Sequence, residues 1–288
     1  MNIIDNGLFE VLKSLPDQHA RSTDFYKFME AVCLQELSGS NFSSEVAKPE
    51  SFGPFGDLFM PLHQMGAINS LDLFGLDELV LFSFYLANRN RYKNVVDIGA
   101  NLGLHSILLA RAGFFVTAYE PDNLHCDLLK ERIQLNGVQS SVKVVKAAVS
   151  NENGESEFVR VEGNTTGSHL AGAKSNPYGE LTRYTVKVVA AADVFENVDF
   201  AKIDAEGHEV AIIKSIPRNF WENLDVVLEV GTSENANDLF RYFSSVGVNM
   251  FSQKLGWRQV KKLEDVPTSY KEGSLFASCK LAMRGKKY

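Results

Sequence analysis

The chain has 288 residues, 45% apolar and 23% charged, with a formal net charge of −7. This is an ordinary globular balance, long enough for one large α/β domain with an extension or for two small domains, and its acidity argues against nucleic acid as a partner. Cys33, Cys126 and Cys279 are widely spaced and form no C-x-x-C, which argues against a disulfide framework or a cysteine zinc site and predicts a reducing, cytoplasmic setting.

No N-terminal stretch joins a basic region to an apolar core, so no signal peptide is expected. Residues 1–75 read as an extension. Phe25, Phe28, Met29, Val32, Cys33 and Leu37 fall at helical spacing and predict an amphipathic helix over Asp24–Leu37. Ser38–Gly75, rich in Gly, Pro, Ser, Asn and Phe, reads as irregular loop. Its aromatic segment SFGPFGDLFMP is expected to pack onto the main domain, the alternatives being a lid or a homodimer contact. The main domain is expected over 76–288. It opens with a largely buried helix at Leu76–Arg89, whose apolar run is far short of the about 18 residues of a membrane span.

Asn94–Ile98 is a β-branched run suited to a buried parallel strand. Gly99-Ala100-Asn101-Leu102-Gly103 breaks it. Leu104, Ile107, Leu108 and Leu109 then predict a helix closed by Gly113. Phe115–Tyr119 is a second strand, closed by Glu120-Pro121-Asp122. Glycines at a strand's carboxyl end let the backbone approach a ligand, the helix start offers free N–H groups, and an acid after the next strand can accept from ribose hydroxyls. These parts together predict a nucleoside cleft.

Helix and strand alternate onward. Leu124–Leu135 is a helix, Val142–Val145 a third strand, and Ala147 begins a small-residue edge against which an adenine could lie. Glu157–Val161 and Arg183–Val189 read as paired strands around the polar, glycine-rich stretch 163–180, a candidate substrate loop. Val198–Ile203 is the fourth strand, followed by Asp204-Ala205-Glu206-Gly207-His208-Glu209 and a short helix. Leu224–Val230 is the fifth strand and Asn235–Val246 a helix. Three late strands, Val248–Gln253, Trp257–Val260 and Leu275–Ala282, lack intervening helices and predict an antiparallel edge.

The nicotinamide fingerprint G-x-G-x-x-G is not met, since Asn101 and Leu104 stand where its later glycines belong. A nicotinamide oxidoreductase is therefore the weaker alternative. D-x-G-x-N-x-G followed by E-P resembles the first motifs of Rossmann-like S-adenosylmethionine-dependent methyltransferases. With KAAVS and AKIDAEGHE added, residues 76–284 resemble the FkbM-type methyltransferase family. The resemblance implies a Rossmann-like class I sheet, S-adenosylmethionine as donor, and transfer to a hydroxyl of a sugar, glycolipid or related small molecule. Onto this chain it places the cofactor at Asp97, Gly99, Asn101, Gly103, Glu120, Pro121, Ala147 and Asp204. His208 departs from the small residue common there.

A hydroxyl becomes a good nucleophile when a base or a metal takes up its proton. The candidates are Asp204, His208 and Glu229, with Glu206 behind them, and a divalent ion between Asp204 and Glu229 stays open. Bland roles stand beside these: Asp204 as a helix cap, Glu206 and Glu209 as first-turn acids, His208 as a surface residue, and Glu229 paired with an unseen partner. A donor-binding module without catalysis is the other alternative.

Overall fold

The computed structural model describes residues 6–280 apart from 41, 43 and 175–178. Three helices precede the main sheet: α1 (Asn6–Ser14), α2 (Asp24–Ser38) and α3 (Leu76–Ala87). The Thr23 side chain caps α2 by accepting from the Tyr26 N–H. Asp77 and Glu78 sit in the first turn of α3, where acids offset the helix dipole. α1 has no counterpart in the sequence reading, because two buried residues, Phe9 and Leu12, make too weak a period.

The segment between α2 and α3 is more ordered than the irregular loop expected. It forms two small antiparallel pairs, Pro49–Ser51 with Asp57–Phe59 and Gln64–Met65 with Ile68–Asn69. Its aromatics turn inward. Phe42 stacks on Phe74 at 4.7 Å, and Phe52 meets Phe9 at 5.6 Å and Phe82 of α3 at 6.1 Å, both edge-on. The Asp77 carboxylate ties three elements, accepting from Tyr26, Arg21 and Gln253.

The main strands are β1 (Asn94–Ile98), β2 (Phe115–Tyr119), β3 (Val142–Val145), β4 (Gly154–Val161), β5 (Leu181–Ala190), β6 (Phe200–Ile203), β7 (Asp225–Leu228), β8 (Asn249–Ser252) and β9 (Leu275–Ser278). One eight-stranded sheet runs β3-β2-β1-β6-β7-β9-β8 and ends on Arg258–Gln259. Its first five strands are parallel, and β9 enters antiparallel between β7 and β8. This is the Rossmann-like architecture with an antiparallel edge.

All residues of β6, β7 and β9 are buried, which requires cover on both faces. The helices that supply it are α4 (Leu104–Arg111), α5 (Asn123–Leu135), α6 (Glu209–Ser215) and α7 (Ser233–Val246). Neighbouring strand residues divide between two cores, as a period of two demands. Val95, Val116 and Val227 join α3, α4 and α5, while Val96, Ile98 and Val226 join Ile212 and Ile213 of α6 and Leu239 and Phe243 of α7.

The predicted strand pair is a long antiparallel hairpin of β4 and β5, in a separate sheet with Ala148–Ser150 and His169–Leu170. Of the candidate substrate loop across it, residues 175–178 lie outside the described residues, and the described part contacts neighbouring elements. The Gly163 carbonyl accepts from the Ala67 N–H at 2.7 Å, and Lys174 pairs with Glu206. Among the described residues no helix is long and apolar enough to cross a membrane.

Candidate functional site

The carboxyl ends of β1, β2, β6 and β7 bring most of the predicted residues to one edge. Gly99 has φ 73°, and a Cβ there would lie 1.8 Å from the Asp204 carbonyl oxygen. The strands β1 and β6 therefore meet backbone to backbone, and no side chain fits between them. Gly103, at φ 90°, leads into α4. Asn101 at φ 49° turns the chain between the two glycines.

Glu120 holds this turn in shape. Its Oε2 accepts from the Asn101 N–H at 2.7 Å and its Oε1 from the Asp122 N–H at 2.8 Å. Burial pushes its carboxyl up to about 8, against the pull of those two N–H groups. Pro121 beside it is half-buried. Ala147 follows β3 and is fully buried, with its N–H donating to the Val145 carbonyl at 3.0 Å.

The D-x-E-G-x-E segment is a loop and not the start of a helix. Glu206 takes φ 51° and Gly207 φ 102°, so α6 begins at Glu209 with His208 as its cap. The cause is Glu209, whose Oε1 accepts from the N–H groups of Ala205 at 2.9 Å and Gly207 at 3.1 Å. Glu209 thus shapes the loop from within. Glu206 points to Lys174, 2.5 Å away. His208 precedes α6 and is not on a helical turn shared with Asp204. Its Nε2 lies 2.7 Å from the Ser150 hydroxyl, which itself donates to Asn151 Oδ1 at 2.9 Å. With that proton committed, the hydroxyl accepts from Nε2–H, and Nδ1 keeps the lone pair. Burial lowers the imidazole pKa, so the ring is neutral near pH 7.

Glu229 follows β7, its N–H donating to the Ile203 carbonyl at 3.2 Å. A partner was expected for its carboxylate, but it makes no side-chain hydrogen bond among the described residues. It keeps a proton instead. Burial, then the nearby Asp204 and Glu206, push it up to about 9. Among the described residues no three His, Cys, Asp or Glu side chains gather closely enough to hold a metal ion.

A cleft opens beside the glycine turn, lined by Gly99, Asn101, Glu78, His105, Lys202 and Asp204. Three of these escaped the sequence reading. His105 bridges Glu78 at 2.8 Å and the Tyr85 hydroxyl at 2.8 Å. The Lys202 ammonium, on a residue 8% exposed, lies 3.2 Å from Asp204 Oδ2 and 3.9 Å from Asp97 Oδ1. Burial alone would lower its pKa, but Asp204, Asp97 and Glu78 outweigh burial and raise it. Asp97 is wholly buried, with Oδ2 accepting from the Ser106 hydroxyl at 2.6 Å and Oδ1 without a hydrogen-bond partner among the described residues.

A family model, described as the methyltransferase FkbM domain, matches residues 97–256, more than half of the chain and the whole of this edge. The chain belongs to the FkbM methyltransferase family. Methyltransferase sdnD of Sordaria araneosa is 26% identical over 180 residues, which cover 50% of this chain and 68% of that protein. Among solved structures, methyltransferase FkbM from Methylobacillus flagellatus KT is similar at 14% identity and a TM-score of 0.43. That match covers 94% of this chain and 58% of the other, so the chain spans less than two thirds of that relative. The O-methyltransferase from Bacillus cereus in complex with SAH is similar at 14% identity and a TM-score of 0.38, over 69% of this chain and 80% of that one.

In this FkbM-family chain a larger hollow, about 400 Å³, lies at the opposite, amino edge of β1–β3 beside Val95, Phe115, Thr117 and Lys143. None of the residues assigned above lines it, and ligands of open parallel sheets bind at the carboxyl edge. Lys202 did leave a trace in the sequence. It is the single charge within FAKI, a strand otherwise apolar and wholly buried.

Proposed function

We propose that this chain is an S-adenosylmethionine-dependent O-methyltransferase acting on a hydroxyl of a sugar, glycolipid or related small molecule. The observation that carries the proposal is the convergence of the glycine turn, Glu120 and Asp204 on one edge. Two buried acceptors there, Asp97 Oδ1 and Asn101 Oδ1, accept no hydrogen bond among the described residues. Such atoms call for donors from a ligand, and a nucleoside joined to an amino acid carries them. The residues present therefore fit the donor. When bound, S-adenosylmethionine supplies a methyl group on a cationic sulfur, open to in-line displacement.

The chain's own residues then divide the work. Glu120 accepts from ribose hydroxyls with the lone pairs left beyond its two backbone contacts, and Pro121 and Ala147 flank that end. Asp204, with a side chain 33% exposed on the cleft, takes the acceptor's proton. Glu229, protonated at neutral pH, donates a hydrogen bond that orients the acceptor. His208 assists through Nδ1, and residues 163–174 of the loop cover the acceptor, with Lys174 held on Glu206.

The test is methyl transfer to a panel of sugars and glycolipids by wild type, Asp204→Asn and His208→Ala, with and without chelator. The proposal expects chelator-resistant turnover that Asp204→Asn abolishes while S-adenosylhomocysteine still binds. Loss on chelation would recast Asp204 and Glu229 as ligands of a divalent ion. Full activity of Asp204→Asn would remove it from the chemistry, and donor binding with no transfer to any acceptor would leave a binding module.

A further inference from the structure

A lysine whose ammonium is withdrawn from water is costly unless carboxylates or hydrogen bonds compensate it. Lys202 is compensated by the charges of Asp204, Asp97 and Glu78 but by no short hydrogen bond. Its nearest oxygens are Asp204 Oδ2 at 3.2 Å, the Gly99 carbonyl at 3.4 Å and Asp97 Oδ1 at 3.9 Å. All are longer than the ~2.7–2.9 Å of a charge-assisted hydrogen bond. The ammonium has three donors and fills none of them well, and it faces the cleft beside the glycine turn.

The same cleft holds the opposite charge. Glu78 and Asp204 line it, and Asn101 Oδ1 is buried there without a donor among the described residues. The first residues of α4, Leu104 and His105, also line it. They bring the N–H-bearing end of an eight-residue helix to the same wall. The cleft thus holds both a group that suits an anion and groups that suit a cation. An α-amino acid zwitterion has this charge pattern. A neutral or purely cationic tail would leave Lys202 unsatisfied.

We infer that Lys202 is a positioning residue that receives the α-carboxylate of the donor's methionine end, while Glu78 and Asn101 Oδ1 receive its α-ammonium. The inference rests on the donor reading above and deepens it. It also accounts for a lysine in the middle of a buried strand. Lys202 anchors the tail and at the same time bridges Asp97 and Asp204, so the amino-acid end of the donor is set in register with the acid assigned to the acceptor.

Calorimetry separates this role from a structural one, using S-adenosylhomocysteine, its decarboxylated analogue and 5′-methylthioadenosine, which lacks the amino-acid part. Wild type is expected to bind S-adenosylhomocysteine roughly ten- to a hundredfold more tightly than the decarboxylated analogue, the loss expected of one charge-assisted hydrogen bond. This arm needs no variant and stands even if Lys202 variants fold poorly. Lys202→Met is expected to lose that preference and to bind 5′-methylthioadenosine as wild type does, and Lys202→Arg is expected to keep part of the preference. Equal wild-type affinity for the carboxylated and decarboxylated ligands overturns the assignment. So does a Lys202→Met protein that weakens toward 5′-methylthioadenosine as much as toward S-adenosylhomocysteine. If wild type binds none of the three, the donor reading itself fails and takes this inference with it.

Discussion

The contact between Gly99 and Asp204 allows a prediction with a built-in control. In Gly99→Ala the new Cβ would start 1.8 Å from a carbonyl oxygen, a backbone atom that cannot swing aside. Ordinary contact requires the carboxyl ends of β1 and β6 to part by roughly 1.5 Å, an overpacking of the kind that strains backbones. Two hydrogen bonds span that region, Asp204 N–H to the Ile98 carbonyl and Gly99 N–H to the Tyr119 carbonyl, both 3.0 Å. Adding about 1 kcal/mol for each weakened bond to about 1–2 kcal/mol for alanine at positive φ gives a loss of about 3–4 kcal/mol. For a domain of this size that lowers the melting temperature by roughly 10 °C. Gly113 supplies the control, with φ 103° but nothing within 4 Å of the place a Cβ would take. Gly113→Ala bears only the conformational term, about 1–2 kcal/mol, a drop of only a few degrees. Thermal melts of both variants, followed by S-adenosylhomocysteine calorimetry, check the reasoning. Gly99→Ala should lose the ligand and Gly113→Ala should keep it. Equal destabilisation, or unchanged affinity in Gly99→Ala, would refute the close approach as the reason for the glycine.

Glu120→Ala removes the acceptor of two backbone N–H groups and the expected ribose contact, so S-adenosylhomocysteine should bind more weakly by roughly 1–3 kcal/mol. Unchanged calorimetric affinity would take Glu120 out of the site. Glu229 offers a test through pH. Its carboxyl rises from 4.5 unfolded to about 9 folded, so between those values the folded chain holds a proton that the unfolded chain releases. Stability contributed by that proton is full below pH 4.5 and is lost as pH rises toward 9. Glu229→Gln cannot ionise and is expected to melt with wild type at about pH 5 but above it at about pH 9. Coincident melts at both pH values would show that Glu229 is not a buried, protonated acid.

The parts of the fold legible in the sequence were those with strong periods and sharp punctuation. β1, β2 and β3 fall on their predicted ends because each is a run of β-branched or aromatic residues stopped by glycine, proline or a polar turn. The antiparallel edge followed from the lack of helices between the late strands. α1 and the small strand pairs at 49–69 were not legible, because they are held by contacts with distant residues. Phe52 packs on Phe82, and the Phe59 N–H donates to Asn136 Oδ1 at 3.0 Å. Local propensity carries no record of such partners.

The site was legible to a different depth at each residue. Glycine at 99 and an acid at 120 are demanded by backbone geometry, and backbone geometry writes itself into residue type. AKIDAEGHE was readable as a site but not as a mechanism, because four of its side chains point to partners far away in the chain. Lys202 reaches Gly99, Glu206 reaches Lys174, His208 reaches Ser150 and Glu209 reaches Asn235. The segment looks like the start of an acidic helix because acids favour helix N-termini. It is a loop because Glu209 satisfies the N–H groups of Ala205 and Gly207 before the helix begins. With those two contacts made, His208 lies against Ser150 while Asp204 lines the cleft beside Lys202. The division between a residue that shapes the loop and a residue that lines the cleft is therefore set by tertiary partners, and it is the reason the proposal above gives the acceptor's proton to Asp204 before His208.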